Sequence, residues 1–366
     1  MIIGVDAREL EGKPTGVGIY LRNILERIEL PRGTQVQLYF KNEIPAGLSI
    51  QNIETILLRS AGSNLMWQQW TLSRELTKRK VALLFSPTSG CPWYFGGLQI
   101  VTVHDLSFFL YPGWFSTKER ISRQLNLAFS LRQAERIYAV SPFVREELMS
   151  RFGIAPWRIL VTSNGVTQKV TDPERRVALR QSYAYENVKL ILYVGSIFNR
   201  RHLPVLIKAV SKLSQEHVLV IIGENRTYPY EDLAALVKKL GIESRVKLME
   251  YVSEGVLRDY YTMADLFVYL SDYEGFGIPP LEAMSYGIPV VLSEAPAMDV
   301  IFRDAANFVK RIACEEVSRA LESCLNDAQE RERLIQAGKM LVARYNWEET
   351  ARVVSQDWEH LLAAQT

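Results

Sequence analysis

Short apolar runs alternate with amphipathic stretches along the whole chain. Apolar runs at 1–6, 36–40, 53–58, 81–85, 100–103, 136–140 and 160–162 read as strands. Between them, 16–28 has helical spacing through Ile19, Ile24, Leu25 and Ile28, and 65–80, 117–134 and 142–152 read as further helices. Asn164-Gly165-Val166 breaks the pattern, and 171–186 is polar, with Asp172-Pro173 as a helix start. The pattern then restarts with strands at 189–194, 218–222, 246–249, 266–270 and 290–292, with helices between them. Three helices close the chain: 314–325, 330–344 and 347–364, the last capped by Asn346. Strands alternating with helices predict parallel sheets covered on both faces, an α/β fold. The break predicts a first domain over 1–168 and a second over 169–346. Two such sheets imply a cleft, because open parallel sheets bind ligands beyond the carboxyl ends of their strands.

Length agrees with two domains, since 366 residues with 48% apolar content can bury two cores. Charge adds an asymmetry. Through Lys169 there are 20 Lys+Arg against 13 Asp+Glu, net +7; the remainder has 23 against 28, net −5; the sum is the overall +2. A basic first half points to an anionic partner or membrane surface, or to a solvated face; nothing points to nucleic acid. Three scattered cysteines, Cys91, Cys314 and Cys324, with no CxxC pair, argue against a disulfide framework or zinc site and fit a cytoplasmic protein. No apolar run reaches about 18 residues, so no spanning helix is expected. The N-terminus MIIGVDAREL carries an early acid and no cleavage pattern, so it does not read as a signal peptide.

The chemistry concentrates in Glu274-Gly-Phe-Gly-Ile-Pro-Pro-Leu-Glu282. It follows an apolar strand, and Pro279 with Pro280 marks where a helix can begin. Gly275 and Gly277 leave the loop backbone open to a ligand, and the amides through Phe276 and Ile278 lead into a helix N-terminus suited to phosphate. Glu274 and Glu282 suit sugar hydroxyls, because each carboxylate oxygen accepts two hydrogen bonds.

Other segments supply complementary groups. Gly16-Val-Gly18 opens the first helix and would let amides approach a phosphate, but Leu21 stands where a dinucleotide site needs its third glycine. Arg200 and Arg201, after the strand ending in Val194, can hold a diphosphate. His104, after the strand 100–103, can donate to a sugar hydroxyl or to developing negative charge. His202, His217 and His360 read as surface. Asp272 and Glu274, two acids one residue apart, do not make a metal site without further ligands. Trp67 and Trp70 read as core, with a membrane- or acceptor-facing patch beside Lys78-Arg79-Lys80 as the alternative.

EGFGIPPLEAMSYGIPVV resembles the signature of glycosyltransferase family 4, and TGVGIYLRNIL and VTVHDLSFFLYP resemble that family's first-domain segments. The resemblance covers nearly the whole chain. It implies a GT-B architecture of two Rossmann-like domains facing a central cleft, with the end segment returning to the first domain. It implies a retaining, metal-free, nucleotide-sugar-dependent enzyme whose first domain binds the acceptor. By that resemblance Glu274 meets the donor sugar, Glu282 the ribose, and His104 the donor sugar. Arg201 takes the family's usual Lys position, and Ser196 replaces a common Arg, leaving Arg200 and Arg201 to stabilise the leaving diphosphate. The expected reaction moves a hexose, with GDP-mannose as first donor, to a glycan or lipid-linked acceptor in bacterial polysaccharide or lipopolysaccharide biosynthesis. The expected place is the cytoplasm, with peripheral contact at an anionic inner membrane face. A nucleotide-sugar epimerase of the same fold and a non-catalytic partner subunit are the alternatives.

Overall fold

The structure is a computed structural model and describes residues 1–13, 15–30, 32–46, 53–169 and 172–364. Pro14, in the loop before the first helix, and Thr171, at the start of the polar stretch, lie outside the described residues.

The chain divides into two units, Met1–Gly165 with Asn346–Thr366, and Val166–Tyr345. The first carries seven strands: β1 (Ile2–Asp6), β2 (Gln35–Phe40), β3 (Ile53–Leu57), β4 (Leu83–Ser86), β5 (Leu98–Val103), β6 (Arg136–Ala139) and β7 (Ile159–Val161). Their order is β3-β2-β1-β4-β5-β6-β7. The second carries β8 (Lys189–Val194), β9 (His217–Ile222), β10 (Val246–Met249), β11 (Leu266–Tyr269), β12 (Val290–Ser293) and β13 (Asn307–Val309), in the order β10-β9-β8-β11-β12-β13. Every described pairing is parallel. Helices cover both faces of such a sheet, so its strands are apolar throughout rather than alternating. Ile191, Leu192, Leu219, Val220, Phe267 and Val268 are accordingly all fully buried.

The parallel register also sets where chemistry can sit. In the first unit Val5 lies opposite Leu38 and Phe85, which brings the carboxyl ends of β1, β2 and β4 level. In the second, Phe267 lies opposite Leu192 and Val290, so the segments after β8, β11 and β12 emerge together.

The last helix, Trp347–Ala363, belongs to the first unit. Trp358 packs edge-on against Phe85 of β4, with ring centroids 5.5 Å apart. Asp357 accepts from Arg136 Nε and from the Tyr138 hydroxyl, each at 2.9 Å, and the Thr350 hydroxyl donates to the Ser163 carbonyl.

Four local features differ from the sequence expectation. The helix expected over 65–80 is interrupted: Asn64–Met66 and Ser73–Lys78 are α-helical, and Trp67–Leu72 between them is a π-helical turn. The wider turn brings Trp67, Gln68, Gln69 and Leu72 all inward. The Trp67 indole donates to the Leu58 carbonyl at 2.7 Å, whereas Trp70 is 66% exposed and stacks on Tyr94. The core reading therefore holds for Trp67 and fails for Trp70. β13 has no counterpart in the apolar pattern, because three residues beginning with Asn carry no strand periodicity. His217 is buried at the start of β9, where Nδ1 meets the Ser214 hydroxyl at 2.8 Å, so it is not a surface residue.

Candidate active site

β11 delivers the chain to the carboxyl edge of the second sheet, and the following loop turns into the helix Ile278–Ser285. Gly277 makes the turn with φ 103°, a backbone conformation that side chains rarely adopt, which is why glycine serves there. Gly275 is buried, and Phe276 is a buried anchor whose ring meets Tyr345 edge-on at 5.4 Å. Phe276 thus offers a ligand its backbone rather than its side chain. Pro279 and Pro280 occupy the helix's first turn, so two of its four unpaired N–H groups do not exist. The Ile278 and Leu281 amides and the end dipole remain. The helix end is a weaker anion site than the glycine loop led one to expect.

The strong charges come from the segment after β8. Arg200 and Arg201 sit in a 3-10 turn, Asn199–Arg201, and both converge on Glu274. Glu274 Oε1 accepts from Arg200 at 3.1 Å, Arg201 at 3.1 Å, the Ser271 hydroxyl at 2.9 Å and the Tyr269 hydroxyl at 3.4 Å. The three charged side chains are 13%, 10% and 12% exposed. Burial alone would raise the Glu274 carboxyl, but the guanidiniums of Arg200 and Arg201 and the Ser271 hydroxyl hold it below its ordinary value. Arg201 reaches back over the turn to donate to the Ser196 carbonyl at 2.7 Å, and its guanidinium lies 4.8 Å from the Tyr269 ring centroid. Burial would lower Arg201, but Glu274 keeps it firmly charged. Two guanidiniums against one carboxylate leave a net positive cluster, which is suited to an anion.

His202, read from sequence as a surface residue, follows the arginine turn in a left-handed conformation, φ 50°, and its Nε2 lies 2.7 Å from Asp272 Oδ1. The Asp272 amide also donates to the Arg200 carbonyl at 3.0 Å. These contacts tie the arginine turn to the Glu274 loop. Sequence spacing could not reveal this, since the partners lie 70 positions apart.

Glu282 lies on the helix Ile278–Ser285 and accepts from the Tyr261 hydroxyl at 3.0 Å. Burial pushes its carboxyl up to about 7, against the opposing pull of Tyr261 and Lys169. A hydroxyl ligand is held best by the ionised form. If a nucleotide ribose binds here, affinity should be flat above that value and weaken as pH falls through about 7, approaching tenfold per pH unit. Glu282→Gln should weaken binding and flatten this slope. Calorimetry between about pH 6 and pH 8 reads both; a slope unchanged in Glu282→Gln would remove Glu282 from the site.

The candidate residues of the first unit form a separate set. The short helix after β5, Ser107–Leu110, is preceded by His104 and Asp105, and Asp105 caps it by accepting from the Ser107 amide and hydroxyl. His104 Nε2 lies 2.8 Å from the Pro87 carbonyl, which can only accept, so Nε2 carries the proton. Burial depresses the imidazole and favours the neutral form, although the Pro87 bond opposes this. His104 then presents Nδ1 as an acceptor. The expected donor role is already spent on Pro87; the geometry allows a hydroxyl donor and disfavours a developing anion. Tyr20 lies edge-on to His104, with centroids 5.2 Å apart.

Gly16 is exposed at the start of the helix Gly16–Arg27. Gly18 is buried, and its amide donates to the capping Thr15 hydroxyl at 3.0 Å. A Cβ on Gly18 would fall 2.4 Å from the Glu9 carbonyl oxygen. Gly18 is therefore a close-packing residue whose N–H is used by the cap.

Comparison with known proteins adds to this geometry. Residues 14–169 match the family described as Glycosyltransferase Family 4, and residues 175–340 match Glycosyl transferases group 1. O-antigen chain mannosyltransferase B of Escherichia coli is 29% identical over 255 residues, 68% of this chain and 67% of that protein. O-antigen chain mannosyltransferase RfbU of Salmonella typhimurium is 25% identical over 256 residues, 70% and 68% of the two chains. Among solved structures, Anabaena HepE in complex with UDP-glucose has a TM-score of 0.78 at 18% identity, covering 98% of this chain and 99% of that one.

Proposed function

The chain belongs to the GT-B glycosyltransferases of family 4, its second half being a group 1 glycosyltransferase domain, and from that premise we propose how its own residues act. It takes a hexose from a nucleotide diphosphate sugar and passes it to a glycan or lipid-linked acceptor, with retention at the anomeric carbon. The observation that carries the reading is the convergence of Arg200 and Arg201 on Glu274 at the carboxyl end of β11. On donor binding the diphosphate takes up the guanidinium donors, and Glu274 is released toward the sugar hydroxyls. As the glycosidic bond breaks, charge grows on the leaving phosphate, and the two guanidiniums stabilise it. Glu282 holds the ribose, and His104 Nδ1 accepts from a hydroxyl.

GDP-mannose is the first candidate donor; the two O-antigen mannosyltransferases support mannose and O-antigen-type polysaccharide as the setting. No helix among the described residues is long and apolar enough to cross a membrane. Exposed Trp70 and Tyr94 beside Arg74 and Lys78 support a peripheral contact with an anionic surface. The reaction needs no divalent ion, because arginines neutralise the diphosphate, and activity should survive EDTA.

A thermal-shift screen of GDP, UDP, ADP and TDP sugars tests the donor assignment, since a ligand of the native state raises the melting temperature. One nucleotide series should stand out, and no shift with any would overturn the reading. Arg201→Ala should then lose on the order of tenfold to a few hundredfold in kcat/KM, the range of a charge-assisted hydrogen bond of roughly 1.5–3 kcal/mol. Arg201→Lys should recover part, because the point charge remains and the fork does not. If Arg201→Ala binds the nucleoside diphosphate as well as wild type in calorimetry, the cation lies elsewhere.

A further inference from the structure

The arginine turn is pinned at both ends by contacts that use neither guanidinium and not Glu274. At its first residue, Asn199 Oδ1 accepts from the Tyr228 amide at 2.6 Å, and Nδ2 donates to the Pro229 carbonyl at 3.1 Å. Within it, the Arg201 amide donates to the Phe198 carbonyl at 2.9 Å, and the Arg200 carbonyl accepts from the Asp272 amide at 3.0 Å. At its end, His202 Nε2 meets Asp272 Oδ1 at 2.7 Å. An ionised carboxylate only accepts, so Nε2 carries the proton and donates it.

His202 is an unusual residue for its place. It is the N-cap of the helix Leu203–Ser211, where a side chain ordinarily accepts from the amides of the first turn. His202 makes no such bond and turns its ring to Asp272 instead. Its φ of 50° is a left-handed conformation, uncommon outside glycine, which persists only where the surroundings fix it. Behind it Leu203, Leu206 and Ile207 are buried, so His202 joins a firmly packed helix to the loop that carries Glu274.

Donor binding, as read above, changes the partners of the guanidiniums. The diphosphate takes up their N–H groups, and Glu274 turns to the sugar. The ion pairs that held Arg200 and Arg201 are then gone. Arg201 keeps its bond to the Ser196 carbonyl, and the backbone of the turn rests on its pins. Donors fixed in advance stabilise developing charge best, because they need no reorganisation as it appears.

We propose that His202, paired with Asp272, is a positioning residue that holds the arginine turn in place while its guanidiniums pass from Glu274 to the donor diphosphate. The proposal rests on the donor reading above and adds to it a residue that acts through the arginines.

The test is calorimetry of the full chain with GDP and with UDP, read on whichever binds the wild type. His202→Ala should weaken that nucleoside diphosphate about tenfold, the size of one charge-assisted hydrogen bond. His202→Gln keeps an N–H donor near the Nε2 position under the same backbone restriction as alanine, and should recover most of the loss. Asp272→Ala and Asp272→Asn both remove the negative charge, but only alanine removes the acceptor. Asp272→Ala should therefore bind about tenfold more weakly than Asp272→Asn, and this pair carries the test if His202→Ala does not fold. Coupling separates positioning from a merely structural role. In an Arg201→Ala chain, where Arg200 still neutralises Glu274, adding His202→Ala should cost no more than about threefold, because the guanidinium it positions is already missing. His202→Ala binding like wild type, His202→Gln binding no better than His202→Ala, Asp272→Ala matching Asp272→Asn, or the full loss repeated in the Arg201→Ala chain overturns the proposal. Wild-type diphosphate binding in those cases leaves the donor reading standing, whereas a wild-type chain that binds neither GDP nor UDP brings down that reading and this proposal with it.

Discussion

Glu274→Gln should lower turnover by on the order of 10²–10³-fold with the fold intact, the range seen when one preorganised electrostatic contact is removed. The amide keeps the size of the carboxylate and an acceptor oxygen, but loses the charge that orders both arginines. Oε1 is the meeting point of four donors, from Arg200, Arg201, Ser271 and Tyr269. Glu274→Ala is the poorer experiment, since it leaves two largely buried guanidiniums side by side without a counter-ion. It should lower stability as well as activity, because an uncompensated buried charge costs about 3–5 kcal/mol. Steady-state kinetics and a melting curve on both variants separate the two effects. A Glu274→Gln enzyme with wild-type kcat would remove Glu274 from the chemistry.

Asp357→Ala should destabilise the first unit by about 3–5 kcal/mol. Both of its oxygens are occupied, by Arg136 Nε and by the Tyr138 hydroxyl, and the residue is 9% exposed. Burial raises the carboxyl from its ordinary value, and Arg136 and Tyr138 pull it back. Truncation leaves the Arg136 guanidinium with the Trp157 carbonyl but no counter-ion, and takes from the Tyr138 hydroxyl its acceptor, beneath the returning helix. For a unit of this size each kcal/mol moves the melting temperature by about 2–4 °C, so a drop on the order of 10 °C is expected in calorimetry. Asp357→Asn should recover part, since the amide oxygen can still accept one bond. A loss below about 1 kcal/mol would place the pair in the class of exposed ion pairs and show that the helix is held by Trp358 and its apolar neighbours alone.

Much of the architecture was legible because parallel strands are buried on both faces. Runs such as Leu190 to Val194 and Leu266 to Tyr269 therefore stand out as unbroken apolar segments, and the helices between them show their spacing. The turn from β11 through Gly277 into the prolines was legible for a related reason: a left-handed residue and a first helical turn each restrict which amino acid fits. Residue type alone also marked Glu274, Arg200 and Arg201 as candidates.

Tertiary structure decided what those candidates do. That Glu274 is the counter-ion of both arginines, that His202 latches onto Asp272, and that His104 has already spent its proton on Pro87 depend on partners 17 to 74 positions away. The π-helical turn that buries Gln68 beside Asp6, and the closing of Asn126 onto Gly90, likewise depend on which strand ends the parallel register brings level. Local sequence encodes backbone preference and burial because both act over a few residues. Hydrogen-bond partners and ionisation are set by groups that meet only once the sheets have formed.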